Sequence, residues 1–245
     1  MKQHEAVIQT IESLGGVATL GQLYQEVFKI EDCQWGTNTP FASIRRIVQQ
    51  RPEIYKIKPG LYGLVSFRKQ NEAKGILAET PQNIGSTELA ASNHYYYQGL
   101  LLTLGKLKSF DTFAPNQDKN KRFLDSSLGE LRTLAEIPAF SYPELVKRSE
   151  TIDVIWFNRR RMPNSFFEIE SSTDIQNSLV KYNDLQDFYV RMFIVADVKR
   201  KAEYDNKVAR SSFEDIKHRV KFLDYESLVK QYEYVMAYSR LEVVV

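Results

Sequence analysis

The sequence predicts an α/β protein, a mixed sheet flanked by helices, preceded by a small segment of helices that closes on a β-hairpin. Three observations carry this expectation. Strand-like and helix-like stretches alternate from about Thr87 onward, with one hairpin among them. Short amphipathic helices followed by two alternating stretches fill the first 67 residues, and the polar run RKQNEAKGILAETPQNIGS, with its Pro and Gly, separates the two parts. The expected domains are therefore 1–67 and 87–245, joined by a linker over 68–86. A chain of 245 residues, 43% hydrophobic and 26% charged, has an ordinary globular composition and enough apolar material for a real core.

In the first part, Ala6, Val7, Ile11 and Leu14 fall at helical spacing, and Gly15-Gly16 ends that helix. TLGQLYQEVF presents Leu20, Leu23, Tyr24 and Val27 on one face. TPFASIRRIVQQ follows, with Thr39 as the expected cap, Pro40 at the first helical position, and an apolar stripe of Phe41, Ile44 and Val48. EIYKIKPGLYGLV then reads as two short strands about a Pro-Gly turn. Three helices and a hairpin make a winged helix. With GGVATLGQLYQEV, TPFASIRRIVQQ and KIKPGLYGLV, residues 3 to 65 resemble the HARE-HTH winged-helix domain found beside restriction-type nucleases and in chromatin proteins. Arg45, Arg46 and Arg51 on the third helix, with Lys56, Lys58, Arg68 and Lys69 around the wing, form a local basic face suited to phosphates. A solvated basic helix in a protein-binding module is the plainer alternative.

In the second part, TELAASNHYYYQGLLLTLGKL reads as a long helix, SFDTFAP as a strand, and LGELRTLAEI as a helix or an irregular turn-rich piece. Ile152–Phe157 and Ser165–Glu170 form a hairpin about NRRRMPN. After it come the helix QNSLVKYNDLQDF, the apolar strand VRMFIVAD with Phe193 to Val195 expected in the buried centre, the basic helix AEYDNKVARSSFEDIKH, the strand VKFLDY and a last helix, ESLVKQYEYVMAYSR.

The hairpin carries acids in its most apolar part. A turn centred between Arg160 and Arg161 sets Asp153 opposite Glu168, and the two-residue period sends Glu168 and Glu170 to one face while Phe167 and Ile169 take the other. Three carboxylates sharing one patch repel each other unless a cation offsets the charge. Oxygen-only ligation suits Mg²⁺ or Mn²⁺. Acids on the solvent face of an edge strand remain the competing account, and a one-residue slip would turn Asp153 away.

Other classes find less support. A formal net charge of +2 gives no global basic field, so a nucleic-acid partner would be held by local patches. One cysteine, Cys33, and three scattered histidines leave no cysteine-rich zinc site or internal disulfide framework. No phosphate-binding glycine loop or nucleophile elbow is present. The opening MKQHEAVIQTIESLGG lacks the apolar core of a signal peptide and no run is long enough to cross a membrane, so a cytoplasmic protein is expected.

Residues 94 to 230 resemble the PD-(D/E)XK nuclease superfamily, in particular its restriction-endonuclease-like branch with a FExExST signature. Asp153 in IDVIW matches the family's Asp, Glu168 in FFEIESST its Glu, and Glu170 stands where the usual Lys would be. The resemblance implies that Asp153, Glu168 and Glu170 hold Mg²⁺ (or Mn²⁺). It leaves two replacements for the missing lysine, Glu170 itself or Lys181 on the next helix. Asp118, Asp184 and His94 are weaker candidates. Lys119, Lys121 and Arg122, and Arg159, Arg160 and Arg161 at the hairpin turn, are candidate phosphate contacts. The implied function is a metal-dependent endonuclease of restriction or defence type acting on DNA, with RNA and a homodimer left open. The alternative is a non-catalytic DNA-binding protein with a degenerate nuclease-like dimerisation domain.

Overall fold

The computed structural model describes the backbone of residues 1–241 and the side chains of residues 1–239, so the last four residues of the segment expected to begin at Thr87 lie outside the description. The chain divides into two compact units, residues 1–92 with the chain from Leu228 on, and residues 93–227.

The first unit contains α1 (Gln3–Ser13), β1 (Val17–Thr19), α2 (Leu20–Glu26), α3 (Pro40–Gln50), β2 (Ile54–Lys58), β3 (Leu61–Leu64) and α4 (Arg68–Ala73). Its three strands form an antiparallel sheet in the order β1-β3-β2. Thr19 and Gln22 cap α2 reciprocally, the Gln22 N–H donating to Thr19 Oγ1 at 3.0 Å and the Thr19 N–H to Gln22 Oε1 at 2.8 Å. Pro40 opens α3 as expected, but the Thr39 hydroxyl makes no cap hydrogen bond. The apolar faces of the helices meet in a core built on Val7, Ile11, Leu23, Ile44 and Val48. Gly16 has φ +86°, and a Cβ there would strike the Phe67 ring, so this turn has no room for a side chain. The stretch read as a linker with room for one short ordered piece opens with α4, which buries Asn71, whose amide donates to Gly16 O at 3.2 Å. The last helix, α10 (Tyr225–Leu241), joins this unit from Leu228, with Tyr232 OH 3.2 Å from Thr19 Oγ1.

The second unit is built on a five-stranded mixed sheet, order β10-β9-β8-β7-β4, from β4 (Asp111–Phe113), β7 (Val154–Phe157), β8 (Pro163–Glu170), β9 (Arg191–Ala196) and β10 (Val220–Asp224). The β7–β8 hairpin is antiparallel, while β8, β9 and β10 run parallel through the crossover helices α8 (Ile175–Asp184) and α9 (Lys201–Val208). Ile155, Phe157, Phe166, Met192 and Ile194 form a core with Ile175, Leu179 and Tyr182 of α8. The opposite face carries Trp156, whose Nε1–H donates at 3.0 Å to Leu101 O of α5 (Thr87–Leu107). Of the stretch LGELRTLAEI, α6 (Leu128–Leu131) alone is helical; a two-stranded ribbon, β5 (Arg122–Phe123) with β6 (Ser126–Ser127), and a helix, α7 (Pro143–Ser149), were not anticipated. The expected long basic helix stops at Val208, because the chain after it turns back through a 3-10 segment (Ser211–Phe213), and this stretch buries Phe213 and then Ile216. Phe193 is half-buried rather than central, stacked on Phe167 with ring centroids 5.0 Å apart.

Candidate active site

The hairpin's register decides where the acids fall. Val154 pairs with Phe167 and Ile155 with Phe166, so Asp153, one residue before β7, comes level with Glu168. Glu168 and Glu170 share the face of Phe166, under α8. The turn itself differs from expectation. Asn158 and Met162 close a three-residue turn, and a bulge between Trp156 and Phe157 restores the pairing that brings Asp153 to Glu168.

Each acid has its own partners. The Ile169 N–H donates to Asp153 Oδ2 at 2.7 Å. Glu168 is buried, its Oε2 accepting from Lys181 Nζ at 2.7 Å and from the Ser178 hydroxyl at 2.8 Å, while its Oε1 is buried with no hydrogen-bond partner. Glu170, also buried, pairs with the Ser178 and Thr173 hydroxyls, and Arg200 Nη1 lies 4.0 Å from its carboxylate and donates to its carbonyl at 3.0 Å. Asp174 accepts the Gln176 N–H at the start of α8, whose inward face then delivers Ser178 and Lys181 one turn apart. Lys181 also donates to Thr151 O at 2.9 Å.

From the other face, His94 of α5 places Nδ1 3.1 Å from Ile169 O and Nε2 3.7 Å from Asp153 Oδ1. The carbonyl must accept, so Nδ1 carries a proton. Burial lowers the pKa of this imidazole, against the pull of the neighbouring carboxylates. Gln98, wholly buried, donates to Asp118 Oδ2 at 3.2 Å and to Asp153 O at 2.9 Å, which ties the buried Asp118 to the site. Asp184 instead pairs with Arg148 at 2.6 Å.

The electrostatics follow from crowding. Burial raises the pKa of both Asp153 and Glu168 above the carboxylate range, and the charge of Asp153 pushes Glu168 further up against the pull of Lys181. Ser178 has one hydroxyl proton to offer these two carboxylates. Among the described residues no three His, Cys, Asp or Glu side chains stand together as a ready ligand set. Asp153 and Glu168 nonetheless fit a hard cation: they are level, oxygen-bearing and mutually repelling, and the Glu168 Oε1 lone pairs are unspent.

The basic residues scatter. Arg46 and Lys56 are exposed. Arg45 is tied to Glu233 at 2.7 Å and to Tyr24 OH at 3.2 Å, and Arg51 Nε lies 4.0 Å from Glu53. Lys58 does not sit on an open wing: it is buried, and its Nζ donates to Leu77 O at 2.9 Å. Arg159, Arg160 and Arg161 are exposed at the hairpin turn, at the far end of the strands from the acids. Ser178, Thr173 and Arg200 were not anticipated as members of the site; the Ser and Thr near the signature were the available hint, whereas the position of Arg200 depends on how the chain crosses after β9.

Residues 76–244, more than half of the chain, match the family model described as Type II restriction enzyme NmeDI C-terminal domain. No curated protein and no solved structure matches the chain.

Proposed function

The chain belongs to the family of the Type II restriction enzyme NmeDI C-terminal domain, and from that premise we propose that it is a metal-dependent DNA endonuclease whose chemistry is carried by Asp153, Glu168 and Lys181. The observation that carries the reading is Lys181 Nζ at 2.7 Å from Glu168 Oε2, an ammonium beside the acid pair supplied by the following helix. Asp153 and Glu168 would hold Mg²⁺ or Mn²⁺, which when bound supplies Lewis acidity toward water and the phosphate.

Lys181 uses two of its three N–H donors, on Glu168 and on Thr151 O. The third remains for an attacking water or a phosphate oxygen. Such a donor orients the nucleophile and offsets negative charge as the phosphorus adds its fifth oxygen. Asp153 is aimed by the Ile169 N–H and His94 holds the Ile169 carbonyl, so the peptide between the two glutamates fixes the acid across from them. Glu170 is then an ordering residue, since Ser178, Thr173 and Arg200 occupy it.

We read α1, α2 and α3 with the β1-β3-β2 sheet of the first unit as a winged helix that positions DNA, a reading supported by Arg46 and Lys56, which face solvent for phosphate contact. Incubation of plasmid and mixed-sequence duplex DNA with the full chain in Mg²⁺ should give 5′-phosphate and 3′-hydroxyl ends or their reverse, and none in EDTA or with Glu168→Ala. Cleavage undiminished in Glu168→Ala would rule the reading out.

A further inference from the structure

The end of the sheet away from the carboxylates carries a second cluster that the chemistry above does not use. Arg159, Arg160 and Arg161 are exposed, and none of their guanidinium groups has a side-chain hydrogen bond or ion pair among the described residues. They sit on a fixed turn rather than a loose one. Asn158 Oδ1 accepts the N–H groups of Arg160 at 2.9 Å and Met162 at 3.2 Å, and Arg161 is held at φ 59°, a conformation that side-chain-bearing residues rarely adopt. Met162 beside them is 41% exposed.

The parallel pairing of Ser165 with Arg191 brings the start of β9 to the same end. Just before it stands Tyr189, fully exposed at 101%. The loop that presents this ring is pinned from below, because the Arg219 guanidinium donates to the carbonyls of Gln186, Phe188 and Val190 on both sides of it. An exposed aromatic ring and an exposed thioether thus share a rigid platform with three exposed arginines.

We propose that this end of the sheet is a second DNA-contact surface, which grips the minor groove and adjoining phosphates of the duplex flanking the cut; the proposal rests on the nuclease reading of the second unit. From Asp153 to Arg159 the strand climbs about 20 Å at roughly 3.3 Å per residue. Duplex DNA rises 3.4 Å per base pair, so on a duplex lying along the strands the contact falls about six base pairs from the scissile phosphate. The minor groove is indicated by shape. Both hairpin strands are interior to the sheet, so the ribbon cannot enter the wide major groove, and the turn alone projects. Arginine side chains suit the narrow groove, and Met162 and Tyr189 offer apolar surface to its sugar walls and base steps.

The test uses the full chain in EDTA, where binding is read apart from cleavage. Fluorescence anisotropy on an A·T-rich 30-base-pair duplex over a salt series should show the slope of log K against log salt falling by about two in Arg159→Ala/Arg160→Ala, as two phosphate contacts are lost. Tyr189→Ser, at a fully exposed position, should weaken binding several-fold with the slope unchanged. Netropsin, a minor-groove ligand, should compete with the wild type and lose most of that effect on the double variant. An unchanged slope in the double variant, or a wild-type complex indifferent to netropsin, would overturn the proposal. Failure of the nuclease reading shows up separately, as absence of wild-type cleavage in Mg²⁺.

Discussion

Lys181 Nζ lies 2.7 Å from Glu168 Oε2 although the two residues belong to different elements, a helix and the strand before it. In the proposed function the pair would supply on two elements what a Glu-x-Lys strand supplies on one. Replacing Lys181 with Ala should lower the cleavage rate by about 10²-fold or more, the usual scale for a positioned proton-transfer or charge-stabilising group, while DNA affinity stays within a few-fold of wild type. Single-turnover cleavage beside anisotropy checks this. If Lys181→Ala cleaves normally and Glu170→Gln is inactive, the second glutamate holds the role instead.

Metal binding should be visible as a change in pH-dependent stability. The raised pKa values of Asp153 and Glu168 mean that the folded, metal-free protein binds more protons than the unfolded chain above the ordinary carboxylate pKa. That contribution is fully present at acid pH and is lost as pH rises through the raised values. Thermal unfolding in EDTA should therefore show Tm falling toward neutral pH, Mg²⁺ should reverse the fall, and Glu168→Gln should flatten both effects. A Tm that is equal at every pH with and without Mg²⁺ would argue against the site.

Lys58 predicts the opposite slope. Burial depresses its pKa to about 7 from an ordinary 10.5, so between those values the unfolded chain holds the extra proton and stability rises with pH by up to about 1.4 kcal/mol per unit. Below about pH 7 the folded chain bears the cost of the buried charge in full. Lys58→Met should remove this rise and leave DNA binding unchanged, as denaturant titrations at pH 6 and pH 9 combined with anisotropy would reveal.

Arg45 and Arg46 are neighbours in sequence with different expected effects. Arg45 is anchored to Glu233, and because its side chain is 46% exposed the pair is worth on the order of 1 kcal/mol. Arg45→Ala should lower stability by about that amount. Arg46→Ala should leave stability alone and reduce the salt slope of DNA binding by about one. Equal salt slopes for the two variants would show that Arg45 leaves Glu233 to reach DNA.

The parts of this site that could be read from sequence are those fixed by local periodicity. Asp153 opposite Glu168 follows from strand pairing, and Lys181 follows because a helix directly after a strand must return across the same face. The bulge, the small helix α7 and the break after Val208 were not legible, since each answers a packing demand set elsewhere in the sheet. Lys58 illustrates the limit. In sequence it is one more cation beside a Pro-Gly turn, and its burial depends on where the chain around Leu77 runs. His94 was among the weaker candidates in sequence; how it and Gln98 meet the acids, through the Ile169 and Asp153 carbonyls, was not legible, because backbone partners leave no side-chain signature.

The bulge between Trp156 and Phe157 acts on the hairpin as a phase shift acts on a wave. Without it, the turn closed by Asn158 and Met162 would carry strict alternation down β8 and present Phe167 and Ile169 to α8, turning both glutamates to the opposite face. With it, the two ends of the hairpin keep separate time. In the proposed function the arginine-bearing turn and the acid-bearing end would then answer separately to changes in sequence, one in holding DNA and the other in cutting it.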